Sequence, residues 1–321
     1  IIVLNYAGIL LMAFVLAVIL GWLLIPILKR LKIGQSIREV GPKQHLAKAG
    51  TPTMGGLIFL LAGVISALVF MPRDSKGYLV LFAALAYGCI GFADDYLKVV
   101  LKQPLGLKAR YKLLGELAAA VLFYLALRTL NVEHALTVPF WGKVQLGALY
   151  PLLVTVVLVA TTNAVNLADG VDGLAGGLSA VTLLGTGLIA WMQGEYGLTY
   201  VAMALVGGIL GYLIFNLHPA KVIMGDTGSL AIGGAIAAIT VLTGTELLLA
   251  FPLGLIFVLE TLSVIIQVTY FKITGRRVFL MAPIHHHFEL KGWSEWKVCF
   301  WFWSLQSLGV VVAIALWLAA Y

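Results

Sequence analysis

The stretch Tyr6-Ala-Gly-Ile-Leu-Leu-Met-Ala-Phe-Val-Leu-Ala-Val-Ile-Leu-Gly-Trp-Leu-Leu-Ile-Pro-Ile-Leu28 carries no charged residue and is long enough to cross a bilayer as one helix. A secretory leader would be shorter, with a basic start and a small-residue cleavage site, so the segment reads as a membrane span. Nine stretches of the same character follow. The ten lie at about residues 5–28, 54–71, 78–95, 112–130, 149–166, 173–192, 197–216, 228–244, 247–271 and 298–320. Composition agrees: 61% of the 321 residues are hydrophobic and 11% charged, against about 25% charged in a soluble domain. The mean hydropathy is +1.03. The expected fold is an all-α polytopic membrane protein with about ten transmembrane helices, residues 1–321 forming a single integral membrane domain. No period of a solenoid array is visible. Cys89 and Cys299 lie in apolar segments without CxxC spacing and read as packing residues.

The connections between spans alternate in charge. One side holds 17 of the 21 Lys and Arg residues, and the other only Arg73, Lys76, Arg128 and Lys143. The positive-inside rule makes the first side cytoplasmic and puts both termini outside. A net charge of +7 is therefore explained by topology, and nucleic acid is not an expected partner. Among the outer connections, residues 132–146 alternate polar and apolar positions around Thr137–Phe140 and Lys143–Leu146, which predicts a small extracytoplasmic hairpin.

Five of the six Asp residues gather at span ends on the cytoplasmic side. Ionisable groups at such positions are costly and point to function. Asp94 and Asp95 close the third span in Gly91-Phe-Ala-Asp-Asp-Tyr96, where neighbours on a helix diverge by about 100°. Asp169 and Asp172 share one face if their segment, Asn163-Ala-Val-Asn-Leu-Ala-Asp-Gly-Val-Asp-Gly173, is helical, and Asn163 and Asn166 repeat the spacing. Asp226 sits in the glycine-lined Met224-Gly-Asp-Thr-Gly-Ser229. Spans two, six and eight also begin with Gly and small polar residues. Such helix N-termini suit phosphate groups; small residues also serve close helix packing, but beside the carboxylates the phosphate reading is preferred. Carboxylates beside phosphates imply Mg²⁺. Zinc is the competing thought at His285-His-His287, in a segment that reads as a loop; contacts to phosphate or sugar are the other reading. Glu260, inside span nine, should face protein or a wet groove, with Gln267 further along the same span. Transporters place charges near the midplane of repeated halves, unlike the one-sided acids here.

Lys48-Ala-Gly-Thr-Pro-Thr-Met-Gly-Gly56, Phe92-Ala-Asp-Asp-Tyr96, Asn163–Leu174, Val222-Ile-Met-Gly-Asp-Thr-Gly-Ser229 and Met281-Ala-Pro-Ile-His-His-His-Phe-Glu-Leu-Lys-Gly-Trp293 together resemble the phospho-N-acetylmuramoyl-pentapeptide transferases. These belong to the polyprenyl-phosphate N-acetylhexosamine-1-phosphate transferase superfamily, and the resemblance runs nearly end to end. Ala168, Val171 and Ile223 depart from the residues common at those positions, Thr, Leu and Phe.

The resemblance implies a Mg²⁺-dependent enzyme of peptidoglycan biosynthesis in the bacterial cytoplasmic membrane, its active site facing the cytoplasm. It implies transfer of phospho-MurNAc-pentapeptide from UDP-MurNAc-pentapeptide to undecaprenyl phosphate, giving lipid I and UMP, by a protein in contact with membrane lipid and forming a homodimer. Asp226 is then the expected Mg²⁺ ligand, and Asp94 a base for the lipid phosphate or, alternatively, a covalent nucleophile. Asp95 supports the same centre. Asn163 belongs to the substrate site, while Asn166, Asp169, Asp172 and Asn216 are expected to contact the UDP portion. Lys48, Thr53 and Lys112 are expected at the pyrophosphate or uridine. His285, His286 and His287 are expected at the phosphate and amino-sugar end, His286 among the catalytic groups.

Overall fold

The computed structural model describes residues 2–30, 50–103, 105–130, 132 and 135–320. Each of the ten apolar stretches becomes a helix: α1 (Ile2–Arg30), α2 (Gly56–Phe70), α3 (Ser75–Val99), α4 (Ala109–Leu127), α5 (Tyr150–Leu167), α6 (Leu174–Met192), α7 (Tyr196–Asn216), α8 (Gly225–Thr243), α10 (Leu255–Thr274) and α12 (Glu295–Ala320). Two short helices, α9 (Glu246–Leu248) and α11 (Ile284–Leu290), lie in the connections. Eight of the long helices have the length and composition to cross a membrane. The other two are α2, with fifteen residues, and α4, which carries Arg110, Lys112 and Glu116 near its start. Large apolar side chains such as Trp22, Leu114, Phe300 and Val311 are 60% exposed or more. So much outward apolar surface suits hydrocarbon, not water, and the chain is a membrane protein.

Helix α8 is the axis of the bundle, and every residue from Thr227 to Thr243 is buried. Its small residues make this possible, because dispersion and close backbone approach, not the hydrophobic effect, hold helices together in lipid. A Cβ added at Gly228 would meet the Gly56 Cα at 2.7 Å, one at Gly233 the Thr162 Cα at 2.5 Å, and one at Gly234 the Ala83 carbonyl at 3.0 Å. Thus α2, α5 and α3 each press on α8 where it has no side chain. Helices α1 and α2 pack on α7, α12 on α6, and α4 between α3 and α5.

The ninth apolar stretch is not one helix from 247. Pro252 and an extended Phe251 break it, and α10 begins at Leu255. The freed backbone groups are met by Gln306 of α12. Its Oε1 accepts from Ile256 N–H at 2.9 Å, and its Nε2 donates to the Leu253 carbonyl at 2.6 Å and to Thr182 Oγ1 at 2.9 Å. A broken helix at membrane depth needs such internal partners. The hairpin forms as β1 (Ala135–Val138) and β2 (Gly142–Gln145), antiparallel with Val138 opposite Gly142.

Candidate active site

Four helix ends meet at one end of the bundle: the last turns of α3 and α5 and the first turns of α4 and α8. Two glycines set how closely. A Cβ on Gly91 would lie 2.1 Å from the Asp226 carbonyl oxygen. Gly225 has φ +74°, and a Cβ there would lie 2.6 Å from Asp95 Oδ2 and 2.7 Å from Thr53 Oγ1.

The carboxylates of Asp94, Asp95 and Asp226 each offer an oxygen, and these lie within 4.8 Å of one another. Their environments differ. Asp226 Oδ2 faces Lys112 Nζ at 2.9 Å and Lys98 Nζ at 3.4 Å, and its Oδ1 accepts from Asn166 Nδ2 at 3.0 Å. Asn166 also reaches Ser229 Oγ at 2.9 Å. Asp94, buried, is ion-paired with Lys98 one turn on and accepts from Leu107 N–H at 2.6 Å. Asp95 caps α8: it accepts from Asp226 N–H at 3.1 Å, Thr227 N–H at 2.9 Å and Thr227 Oγ1 at 2.7 Å. Like charges at this spacing repel unless cations sit among them. Two ammonium groups offset two of the three carboxylates. The remaining charge and an all-oxygen donor set fit a hard divalent cation.

Behind this cluster, Asn163 Nδ2 donates to Glu116 Oε2 at 2.7 Å and Tyr87 Oη to the Glu116 carbonyl at 3.0 Å. Lys98 and Glu116 were not singled out as site residues in the sequence. Their signal is helical spacing, since each stands four residues after a site residue, Asp94 and Lys112.

The glycine-rich helix starts are not open phosphate cradles in this conformation. At α2, Gly55 N–H and Gly56 N–H bond the carbonyls of Ile223 and Met224, both at 2.9 Å. At α8, the N–H groups of Asp226 and Thr227 go to Asp95. Ahead of α6, Asp172 N–H donates to Glu295 Oε2 and Gly173 N–H to Asn216 Oδ1, each at 3.0 Å. The preferred phosphate reading of these starts is corrected: the glycines serve packing, and protein acceptors take the named amides.

Asp169 and Asp172 do not share a helix face, because α5 ends at Leu167 and residues 168–173 form a turn. Asp169 is half-buried in that turn. Asp172 is buried, its Oδ2 meeting His218 Nδ1 and Ala220 N–H, both at 3.1 Å. His218 Nδ1 also lies 3.4 Å from Glu295 Oε1. Asn216, 4% exposed, spends its amide on Gly173 N–H and the Val222 carbonyl, so it staples the turn to the α7–α8 connection and has no free face for a ligand. Sequence reasoning missed His218 and Glu295, which meet Asp172 only through folding.

The three histidines lie on α11, not in a loop, and their Nδ1 atoms meet three different partners. His285 takes Glu260 Oε2 at 3.1 Å, His286 takes Glu289 Oε2 at 2.7 Å, and His287 accepts from Leu280 N–H at 3.1 Å. Burial, with Lys291 nearby, lowers the His287 pKa, in keeping with an acceptor Nδ1. His285, expected at the phosphate and amino-sugar end, is fully buried. His285, His286 and Glu289 each offer an atom within 4.8 Å of the others, but His287 turns to Leu280, so the three histidines do not form one zinc site. Thr53 is buried against Gly225, Lys112 joins the carboxylates, and Lys48 lies outside the described residues.

A family model described as glycosyl transferase family 4 matches residues 78–244. A phospho-N-acetylmuramoyl-pentapeptide-transferase signature matches residues 48–60. The chain is 49% identical over 308 residues to the phospho-N-acetylmuramoyl-pentapeptide-transferase of Geobacillus sp. (strain WCH70), covering 94% of this chain and 95% of that protein. It is 50% identical over 308 residues to the same-named protein of Geobacillus kaustophilus (strain HTA426), with 94% of each covered. Against that of Bacillus subtilis (strain 168) the identity is 48% over 309 residues, with 95% of each covered.

Proposed function

The chain belongs to the phospho-N-acetylmuramoyl-pentapeptide-transferase family, and on that premise we propose that it transfers phospho-MurNAc-pentapeptide from UDP-MurNAc-pentapeptide to undecaprenyl phosphate, forming lipid I and UMP with Mg²⁺. The carrying observation is the cluster of Asp94, Asp95 and Asp226, bracketed by Lys98 and Lys112 at one end of a bundle of apolar helices. A lipid-linked phosphate and a water-soluble nucleotide meet at such a place.

Phosphoryl transfer asks the protein for positioning and charge neutralisation more than for covalent chemistry. Asp226 is the residue that would hold Mg²⁺, because Asp95 is committed to capping α8 and Asp94 is the base. The ion supplies charge stabilisation to the pyrophosphate oxygens when bound. Lys98 and Lys112 neutralise negative charge beside the carboxylates, and Asn166 orients Asp226. Asp94 takes the proton from the lipid phosphate, whose oxygen then attacks the sugar-bearing phosphorus. The bond from that phosphorus to the UMP oxygen breaks, and UMP leaves with the electron pair. The turn carrying Asp169 and Asp172 holds the UDP portion, and α11 presents His286 and His287 to the sugar-phosphate end.

The reading places the protein in the bacterial cytoplasmic membrane with this end in the cytoplasm, as the 17-to-4 bias of basic residues supports. A homodimer is part of the same proposal. UMP release by purified protein in detergent tests the reaction. Release that requires both substrates and Mg²⁺ is expected, and activity only with UDP-N-acetylglucosamine would move the chain to a sister specificity.

A further inference from the structure

Helix α10 presents polar side chains two turns apart to the segment that leads into α11. Gln267 Oε1 accepts from Val278 N–H at 3.0 Å and Phe279 N–H at 2.9 Å, while its Nε2 donates to the Phe279 carbonyl at 3.0 Å. Two turns earlier on α10, Glu260 Oε2 lies 3.1 Å from His285 Nδ1, and both side chains are fully buried. The segment is therefore clamped to α10 at two points. The Glu260 end reaches the turn after α5: a Cβ built on Gly170 would lie 2.3 Å from His285 Nε2. Among the described residues, neither Nε2 nor Glu260 Oε1 has a hydrogen-bond partner.

A carboxylate buried at this depth is costly, and an apolar residue would pack there more cheaply. What the carboxylate adds is direction. Accepting the Nδ1 proton fixes the imidazole tautomer and ring plane and leaves Nε2 facing Gly170, the logic by which an outer carboxylate orients a working histidine. We propose that Glu260 is a positioning residue for the donor site: through His285 it sets the height of the Asp169–Gly173 turn and thereby of Asp169 and Asp172. The inference rests on the reading that this turn holds the UDP portion of the donor. Gly170 is part of the device, since any side chain there collides with the histidine.

Steady-state UMP release by full-length protein in detergent tests it, with UDP-MurNAc-pentapeptide and undecaprenyl phosphate varied separately. Glu260→Leu should raise the KM for the nucleotide donor about tenfold and leave the KM for the lipid acceptor unchanged. Glu260→Gln keeps an acceptor for Nδ1 and should recover most of the loss, which a simple packing defect would not. In a second arm that does not depend on Glu260→Leu folding, Gly170→Ala should cost less in a His285→Ala background than in the wild type. An unchanged donor KM in both Glu260 variants, or strictly additive Gly170 and His285 effects, would overturn the inference while the wild type still turned over. A wild type that releases no UMP would instead overturn the donor-site reading beneath it.

Discussion

At one end of the bundle, Asp94, Asp95 and Asp226 are met by Lys98, Lys112, Asn166 and backbone N–H groups, drawn from four helices and the connection after α3. At the other end, Glu246 is 3% exposed with neither carboxylate oxygen paired among the described residues, and burial pushes its pKa up to about 7. The side-chain chemistry is the same and the outcome opposite. Paired carboxylates have cations and donors fixed against them, and that arrangement can place a ligand or a proton. A solitary one is driven toward its neutral acid. An acid near the membrane therefore marks a site only when the fold spends several other residues on it.

Asp226→Asn breaks the comparison hardest. It removes charge from the carboxylate that both lysines face and should lower turnover by about 10³-fold or more, or about 4 kcal/mol of transition-state stabilisation. UMP release with and without added Mg²⁺ reads it. A variant with near-normal, Mg²⁺-dependent turnover would remove Asp226 from the centre. Next comes Gly225→Ala, which forces a Cβ into the left-handed region and against Asp95 and Thr53. It should cost about 3 kcal/mol through strain and loss of the Asp95 cap. A thermal melt in detergent should show a lower Tm, and an unchanged Tm would mean that the turn moves freely.

The long helices were legible because an apolar helix writes its signal into consecutive residues, eight of them long and apolar enough to cross a membrane, and the hairpin because alternation around Pro139 and Gly142 is local. The break before α10 was hidden inside an apolar run, since Gln306, which stabilises it, lies fifty residues on. The carboxylates were legible as residues but not in their duties. That Asp95 caps α8 and Asn216 staples a turn depends on which backbone amides meet them across 131 and 43 residues. The glycines pointed to a phosphate cradle, and only the helix contacts and the protein acceptors on their amides favour packing instead. Glu260 stood out early, yet its partner His285 became visible only when α11 folded against α10.

Glu246 sharpens the opposite arm. The folded protein keeps its proton up to about pH 7, while the unfolded chain releases it near 4.5. Between those values the folded state binds more protons, so stability falls as pH rises and levels off above about pH 7. The loss is about 3 kcal/mol at 1.36 kcal/mol per pH unit. Melts from pH 4.5 to 8 should show the decline in the wild type and a flatter profile in Glu246→Gln. Identical slopes would mean that a partner charge holds Glu246 ionised.

The smallest effect should come from the pair that does have a partner at that far end, Lys76 of α3 with Glu195 ahead of α7. Both side chains are about a quarter exposed, at 26% and 28%, so water and salt screen much of their attraction. Lys76→Ala should cost less than about 1 kcal/mol, lower Tm by about one or two degrees and leave UMP release unchanged. Pairing alone would then be insufficient for function as well: Lys76–Glu195 is a charge pair without a third group to act on, whereas Lys112–Asp226 sits where Asp94, Asn166 and a second lysine converge. If Lys76→Ala instead lowered turnover, the two ends would be coupled through α3, and the site could no longer be treated as the work of one end of the bundle.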